Sequence, residues 1–314
     1  FKKKDLLIKK NTIINSNHIM AFKALGVGNV KVKKRVNIVF FSSGNEISED
    51  NHIPFWKIRN SNHHYIKSLK NNFLFNFKNL GILKDYDEKK FYNKLHQILK
   101  SKTDIIITSG GVSKGKFDYL PEIFEELKVE KIFHRVLQRP GKPLWFGKQH
   151  EKNVTVFSFP GNPNSTFVNY HIYFIKWLTK SLELEDLKSE VILNTAVDAN
   201  SNITRYLLVK TNSENGEIKA ELLNENGSGD LISLANADGV ILLPPEKDFE
   251  VGDTITISNI VLPSGTETTI KGRDFVVANI QAPSGLKSSE NESADSDDSA
   301  ADSSEEEKEE TASE

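Results

Sequence analysis

The residues best placed to do chemistry in this chain form a loop. Residues 104–121 read DIIITSGGVSKGKFDYLP. Gly110, Gly111 and Gly115 allow backbone N–H groups to turn inward, Ser109 and Ser113 add hydroxyl donors, and a helix starting after them adds its partial positive charge. Such a loop cradles a phosphate or another oxyanion. The spacing is neither GxGxxG nor GxxxxGKS/T, so neither a dinucleotide fingerprint nor a P-loop is licensed. A loop whose glycines only make the turn is the plainer reading. Glu46 in SSGNE (42–46), Asp104 before the loop and Asp118 at its exit offer three hard carboxylate ligands for Mg²⁺, which bridges carboxylates to substrate phosphates. Each acid also has a plainer role: Asp118 as a helix cap, Asp104 as the end of a helix connection, Glu46 as a solvated loop acid. RPGKP (139–143) sets Arg139 and Lys142 around a glycine between two prolines, which stiffen the pair for an anion.

These loops need elements to hold them. VNIVFF (36–41), FLFNF (73–77), DIIIT (104–108) and VTVFSF (154–159) read as strands. Helical spacing runs through 61–72 with Ser61 as N-cap, 88–100, PEIFEEL and 165–180. HIMAFKALGVGNVKV reads as a helix closed by Gly26 and followed by a strand. Near-continuous apolar strands alternating with helices predict an α/β domain with a parallel sheet covered on both faces. In such a sheet ligands bind beyond the carboxyl ends of the strands. SSGNE, SGGVSKGKFD and PGNPNS (160–165) all follow strands, so all three emerge on one edge, and Pro160, Gly161, Asn162 and Ser165 join the candidate binding residues.

After Ser189 the helical stretches stop. RYLLVK, EIKAELL, GVILLP and DTITISNIVL predict a small all-β domain. The division expected is 1–34 as the end of a linker region, 35–187 as the α/β domain, 188–262 as the β domain and 263–314 as connector and tail. The tail from Glu290 holds twelve acids and one lysine, so the rest of the chain carries 40 Lys and Arg against 31 Asp and Glu. A tail of that composition cannot offset its ordering entropy and is expected to be disordered. The basic body favours anionic ligands. With no cysteine there is no disulfide frame and no thiolate site. His63 and His64 are adjacent and cannot make an i, i+4 metal pair, and His134 reads as structural. No apolar run approaches the roughly 20 residues of a membrane span, and no secretory segment is visible, so a cytoplasmic protein is expected. The chain opens on Phe1, its one methionine being Met20, as a truncated N-terminus would.

Taken together, TDIIITSGGVSKGKFD, RPGKP, FPGNPNS, SSGNE and IRNSN (58–62) resemble, in order and spacing, the molybdopterin molybdenumtransferases, the MoeA proteins also represented by the E domain of gephyrin. The likeness runs over about residues 1–262, and GSGDLISLANADGVILLP with FEVGDTITI resembles that family's C-terminal barrel. It implies a central domain shared with molybdopterin adenylyltransferase (MogA-like). The implied reaction hydrolyses adenylated molybdopterin and inserts molybdate into the dithiolene, releasing AMP, with Mg²⁺ as the divalent ion and a homodimer as the assembly. By position it implies that Glu46, Asp104 and Asp118 are active-site acids. Arg139 and Lys142 would lie in a basic anion-binding strand, and Ser109, Gly110, Gly111 and Ser113 in the pterin-phosphate loop. Asn45 and Asn60 stand where the family commonly has Asp, Arg139 replaces a lysine, Lys114 is an extra cation, and most of the N-terminal linker region and an inserted domain are missing. Two other readings stand beside this one: an adenylyltransferase-like activity, and a non-enzymatic molybdopterin-binding or interaction protein. Neither nucleic acid nor membrane is an expected partner.

Because a segment without a core buries nothing, deleting residues 290–314 should leave the thermal unfolding midpoint within error. A clear drop on calorimetry would show that the tail docks on the basic body.

Overall fold

A computed structural model describes residues 5–69, 73–84, 88–112, 119–184, 189–198, 201–224, 227 and 229–258. Helix α1 (Ser16–Ala24) opens the fold. The Asn15 side chain accepts from His18 N while His18 reaches back to the Asn15 backbone, and no residue of α1 is buried. The strand expected after Gly26 does not form. Residues 28–35 are exposed and meet no neighbouring ladder, and β-branched residues without a partner strand have nothing to pair with.

The α/β part runs β1 (Val36–Ser43), β2 (Ile47–Ser48), β3 (Ile58–Arg59), α2 (Asn62–Ser68), β4 (Phe75–Leu83), α3 (Glu88–Lys100), β5 (Ile105–Ser109), α4 (Leu120–Glu126), β6 (Glu130–His134), β7 (Gln138–Arg139), β8 (Trp145–Gln149), β9 (Val154–Phe159) and α5 (Pro163–Asn169). A π-helical stretch, Tyr170–Ile175, then leads into α6 (Lys176–Ser181). The sheet order is β4-β1-β5-β9-β8-β6. β4, β1, β5 and β9 are parallel, whereas β8 pairs antiparallel with both β9 and β6 and so alone runs against the rest. The sheet is therefore not wholly parallel. The cause is local: β8 joins β9 through 150–153, where Asn153 takes a positive φ of 55° and Asn153 N donates to His150 O. A connection that short makes a hairpin, whereas a parallel pair needs a crossover of a dozen residues or more.

Alternate strand residues feed two cores. Val39, Phe41, Ile106 and Val156 face α3 and α4, with Phe91, Leu95, Ile98 and Leu99 of α3 buried at helical spacing. Ile38, Phe40, Ile105, Ile107, Phe157 and Phe159 face the other way, towards Ile66 of α2 and Tyr170, Phe174 and Leu178 beyond α5. Ser61 precedes α2 as expected but makes no side-chain cap bond. The strand read at 73–77 instead runs on to Leu83 as β4.

The second part contains β10 (Ser189–Leu193), β11 (Thr204–Glu214), β12 (Glu217–Leu222), α7 (Leu231–Asn236), β13 (Gly239–Leu243) and β14 (Thr254–Ser258). The ladder β12-β10-β14-β13-β11 closes on itself through β11–β12, giving a five-stranded barrel around Val191, Val209, Ala220, Ile241, Phe249 and Ile257. α7 interrupts what the sequence shows as all-β. Asp230 starts it by accepting from Ile232 N at 3.0 Å and Ser233 N at 2.9 Å. β7, which belongs to the α/β part by sequence, pairs parallel with the start of β11 at Gln138↔Thr204 and Arg139↔Arg205. The acidic tail lies outside the described residues.

Candidate active site

β1, β5 and β9 end level with one another: Ser42 pairs with Ser109, and Ser109 with Phe159. Their three loops consequently leave the sheet side by side. Gly110 has a φ of +92°, its N donates to Phe159 O at 2.9 Å, and a Cβ there would lie 2.2 Å from the Ser43 carbonyl oxygen. Backbone approaches backbone so closely that only glycine fits. Gly111, at φ +72°, would put a Cβ 2.6 Å from Leu120 Cδ1 and 3.1 Å from Ser43 Oγ. On the other side, a Cβ on Gly161 would stand 3.8 Å from Gly110 Cα. The loops after β1, β5 and β9 thus touch.

A single amide ties two of them. Asn62, buried at the start of α2, donates through Nδ2 to Ser109 Oγ at 2.6 Å and to Gly161 O at 2.8 Å. Asn60, two residues earlier, accepts from Ser42 Oγ at 2.7 Å and donates to Glu49 Oε1 at 2.8 Å. Where the resemblance leads one to expect an acid, the amide serves as both acceptor and donor in a buried link. Asn162 caps α5 by accepting from Ser165 N at 3.0 Å, and Thr166 Oγ1 donates to Pro160 O at 3.0 Å. The imidazole of His134 lies 3.1 Å from Val112 O, a structural contact beneath the glycine loop. His63 is buried next to His64; burial and that neighbour both lower its pKa.

The RPGKP turn reaches the same edge because Trp145, at the start of β8, pairs with Ser158 near the end of β9. Asn169 Nδ2 donates to Gly141 O at 3.1 Å, and Gln138 Nε2 donates to Asn169 Oδ1 at 3.0 Å and Pro140 O at 2.8 Å. Tyr173 OH donates to Gln138 Oε1. Gly141, at φ +90°, leaves no room for a side chain, since a Cβ would stand 2.5 Å from Asn169 Oδ1. Half-buried Asn162 and the buried Ser165, Thr166 and Asn169 therefore make a polar stripe along α5 that links the third loop to the basic turn. Arg139 and Lys142 are exposed, and among the described residues neither lies within ion-pair distance of a carboxylate.

Of the three acids, the two that lie among the described residues are at opposite ends of the sheet. Glu46 is at this edge, exposed, with its carboxylate folded back so that a Cβ on Gly44 would meet its oxygens at 2.7 and 2.8 Å. Asp104 is at the other end. It precedes β5, about 16 Å of strand away from Ser109. There Oδ2 accepts from Asn37 N at 2.7 Å and Asp104 O accepts from Thr155 N at 3.0 Å, stitching the starts of β1, β5 and β9. At this end Asp104 makes structural bonds between strand starts, away from the edge that carries the glycine loops. Ser113, Lys114, Gly115 and Asp118 lie outside the described residues. Among the described residues, which do not include Asp118, there is no group of three or more His, Cys, Asp or Glu side chains able to hold a metal ion. Asn62, Gln138 and Asn169 carry the architecture of the site and were not singled out from sequence. Their only sequence signal is an amide beside a strand end or helix start.

A family model described as a probable molybdopterin binding domain matches residues 40–180, and one described as the MoeA C-terminal region (domain IV) matches residues 190–260. The chain belongs to the MoeA-like molybdopterin molybdenumtransferase family. It is 32% identical over 252 residues to a protein of Synechocystis sp. named molybdopterin molybdenumtransferase, covering 79% of this chain and 62% of that one. It is 29% identical over 262 residues to a protein of the same name from Staphylococcus aureus, covering 81% and 61%. The molybdopterin biosynthesis MoeA protein of Pyrococcus horikoshii has the same fold, with a TM-score of 0.66 at 24% identity over 80% of this chain and 61% of that one. This MoeA-like chain thus spans about three-fifths of the length of the curated relatives it matches.

Two outcomes follow from the geometry. Asp104→Ala should lower unfolding free energy by about 1 kcal/mol, the cost of leaving the Asn37 N–H without its acceptor, and leave ligand affinity at the glycine loops unchanged. Urea unfolding beside a binding titration decides between a structural and a catalytic Asp104. Asn62→Ala should cost about 1–3 kcal/mol by removing the partner of the buried Ser109 hydroxyl and of Gly161 O, and should weaken anion binding as well, because the two loops lose their tie. A variant that binds as tightly as the wild type would show that the loops hold their shape without it.

Proposed function

We infer that this chain acts in molybdenum cofactor biosynthesis as a molybdopterin molybdenumtransferase, inserting molybdate into adenylated molybdopterin with release of AMP. The observation that carries this reading is the contact of Gly110 with Ser43 O and with Gly161, beside a turn bearing two cations. Bare backbone at a sheet edge lets phosphate oxygens approach N–H donors closely, and Arg139 and Lys142 offset the charge of the phosphoanhydride linking pterin and AMP. The clamp residues Asn62, Gln138 and Asn169 orient these groups before ligand arrives, so that binding need not order them. Glu46 is the one carboxylate, of the three named from sequence, that the described residues bring to this edge, where it can orient a substrate hydroxyl or water. Magnesium fits this edge only in part and no step is assigned to it. The barrel of residues 189–258 favours this reading over adenylyl transfer, because it matches the MoeA C-terminal region. A homodimer, small-molecule rather than nucleic-acid ligands and a cytoplasmic site of action belong to the same reading. Among the described residues no helix is long and apolar enough to cross a membrane.

Calorimetric titration with molybdopterin, its adenylated form and AMP tests the cradle. Lys142→Ala should weaken the adenylated pterin about tenfold, the scale of one charge-assisted hydrogen bond, and rising salt should weaken the wild type too. Gly111→Val should be worse than Lys142→Ala, since it blocks both the positive φ and the approach of phosphate. Equal affinity in all variants would sink the phosphate reading, and binding of nucleic acid without pterin would sink the function.

A further inference from the structure

The opposite edge of the sheet carries a second concave surface. A cleft of ≈ 630 Å³ lies between α3 and the edge strand β4, reaching the starts of β1 and β5 at Asn37 and Thr103. Its lining is chemically sorted. Val39, Leu80 and Ile98 belong to the core beneath α3 and form an apolar floor. Lys34, Lys78, Lys94 and Lys102 surround it. No carboxylate lines the cleft, and among the described residues none of these lysines meets one within 4 Å or makes a side-chain hydrogen bond. Some lysines elsewhere do find acids, as Lys210 finds Asp238 and Lys219 finds Glu214. Asn76 Nδ2 donates to Asn37 Oδ1 at 3.0 Å, which leaves Asn76 Oδ1 as an acceptor and Asn37 Nδ2 as a donor at the rim, with the Gln97 amide beside them.

Four like charges gathered around one concavity raise its positive potential at a cost in mutual repulsion, which an arriving anion relieves. An apolar floor adds nothing for inorganic phosphate, but it suits the face of a planar ring, whose polar edge the amides can meet. The volume is in the range of sites for single small ligands, about 300–1,000 Å³. A cleft bounded by one helix and one strand also differs from the extended basic groove that tracks a nucleic-acid backbone. We propose that the α3–β4 cleft is a second ligand site, for a small phosphorylated planar heterocycle of the nucleoside monophosphate class. Phosphate sits among Lys34, Lys78, Lys94 and Lys102, and the ring lies on Val39, Leu80 and Ile98. The site is separate from the glycine loops, being at the amino ends of the strands whose carboxyl ends carry those loops.

The probe is adenosine 5′-monophosphate added to the full chain, with adenosine, inorganic phosphate and a single-stranded RNA hexamer as comparisons. Nuclear magnetic resonance follows the side-chain amides of Asn37, Asn76 and Gln97 while calorimetry follows affinity. Lys142→Ala is used as background so that binding at the glycine-loop edge is suppressed. The nucleotide should shift those three amides and bind at least tenfold tighter than adenosine or phosphate. Lys78→Glu with Lys94→Glu should weaken it at least tenfold. Lys102→Glu, in an exposed turn, should weaken it in the same direction should the double variant fail to fold. No shift at the three amides, or affinity indifferent to Lys102→Glu, overturns the proposal, and tighter binding of the RNA hexamer through the same lysines overturns the small-ligand assignment. Lys102 reports this cleft and Lys142 the other edge, so failure here leaves the enzymatic reading standing.

Discussion

The candidate site depends on three parallel strands stopping at the same height. Hydrogen bonding sets the register Ser42↔Ser109↔Phe159, and a shift of one residue would turn every buried side chain to the wrong core. With that register, the Gly110 N–H finds Phe159 O and the Ser43 carbonyl comes to rest where a Cβ would otherwise be. The absence of a side chain at 110 is thus required first by the sheet. The openness that a phosphate can use is a by-product of strands packed too closely for anything larger.

Around this contact the protein spends its buried polarity on amides rather than charges. Asn60, Asn62, Gln138 and Asn169 each bond to a loop or to one another, and each offers donor and acceptor together. The layer beneath is likewise uncharged. Tyr65 OH meets His171 Nε2 at 2.5 Å, and burial drives the His171 pKa down to about 3. A histidine kept neutral in the fold but titrating near 6.5 when unfolded stabilises the protein fully above that value. The unfolded chain takes up the proton first, so this stability is lost as pH falls from 6.5 towards 3. Among the described residues, the formal charges Glu46, Arg139 and Lys142 are at the surface, where they can meet a ligand without having been desolvated beforehand.

Much of this was legible in sequence. Unbroken β-branched runs such as DIIIT could hardly be anything but strands buried on both faces, and glycines directly after them marked the loops that meet at the strand ends. What the sequence did not show shares a cause. Asp104 stands five residues before Ser109, close in the text but at the far end of a strand that extends about 3.3 Å per residue. Its partner, the Asn37 N–H, is distant in sequence and belongs to a neighbouring strand. The amide clamps were invisible for the same reason: Asn62 reaches Ser109 and Gly161, neither of which lies near it in the chain. The antiparallel β8 was hidden by Gly147 and Lys148 within a half-buried pattern, and α7 by its brevity, though Asp230 before an apolar run was a usable start signal.

β7 has two allegiances. Gln138 and Arg139 lead into the basic turn on the α/β sheet, yet their ladder is with Thr204 and Arg205 of the barrel. The turn is therefore strung between two bodies, anchored on one side by Asn169 of α5 and on the other by the first residues of β11. A hinge of the barrel against the sheet would drag the two cations with it, as a tendon moves a joint. The barrel contributes none of the loop residues described above, but it holds one end of the strand that leads into the basic turn, which gives it a mechanical grip on the position of those two cations.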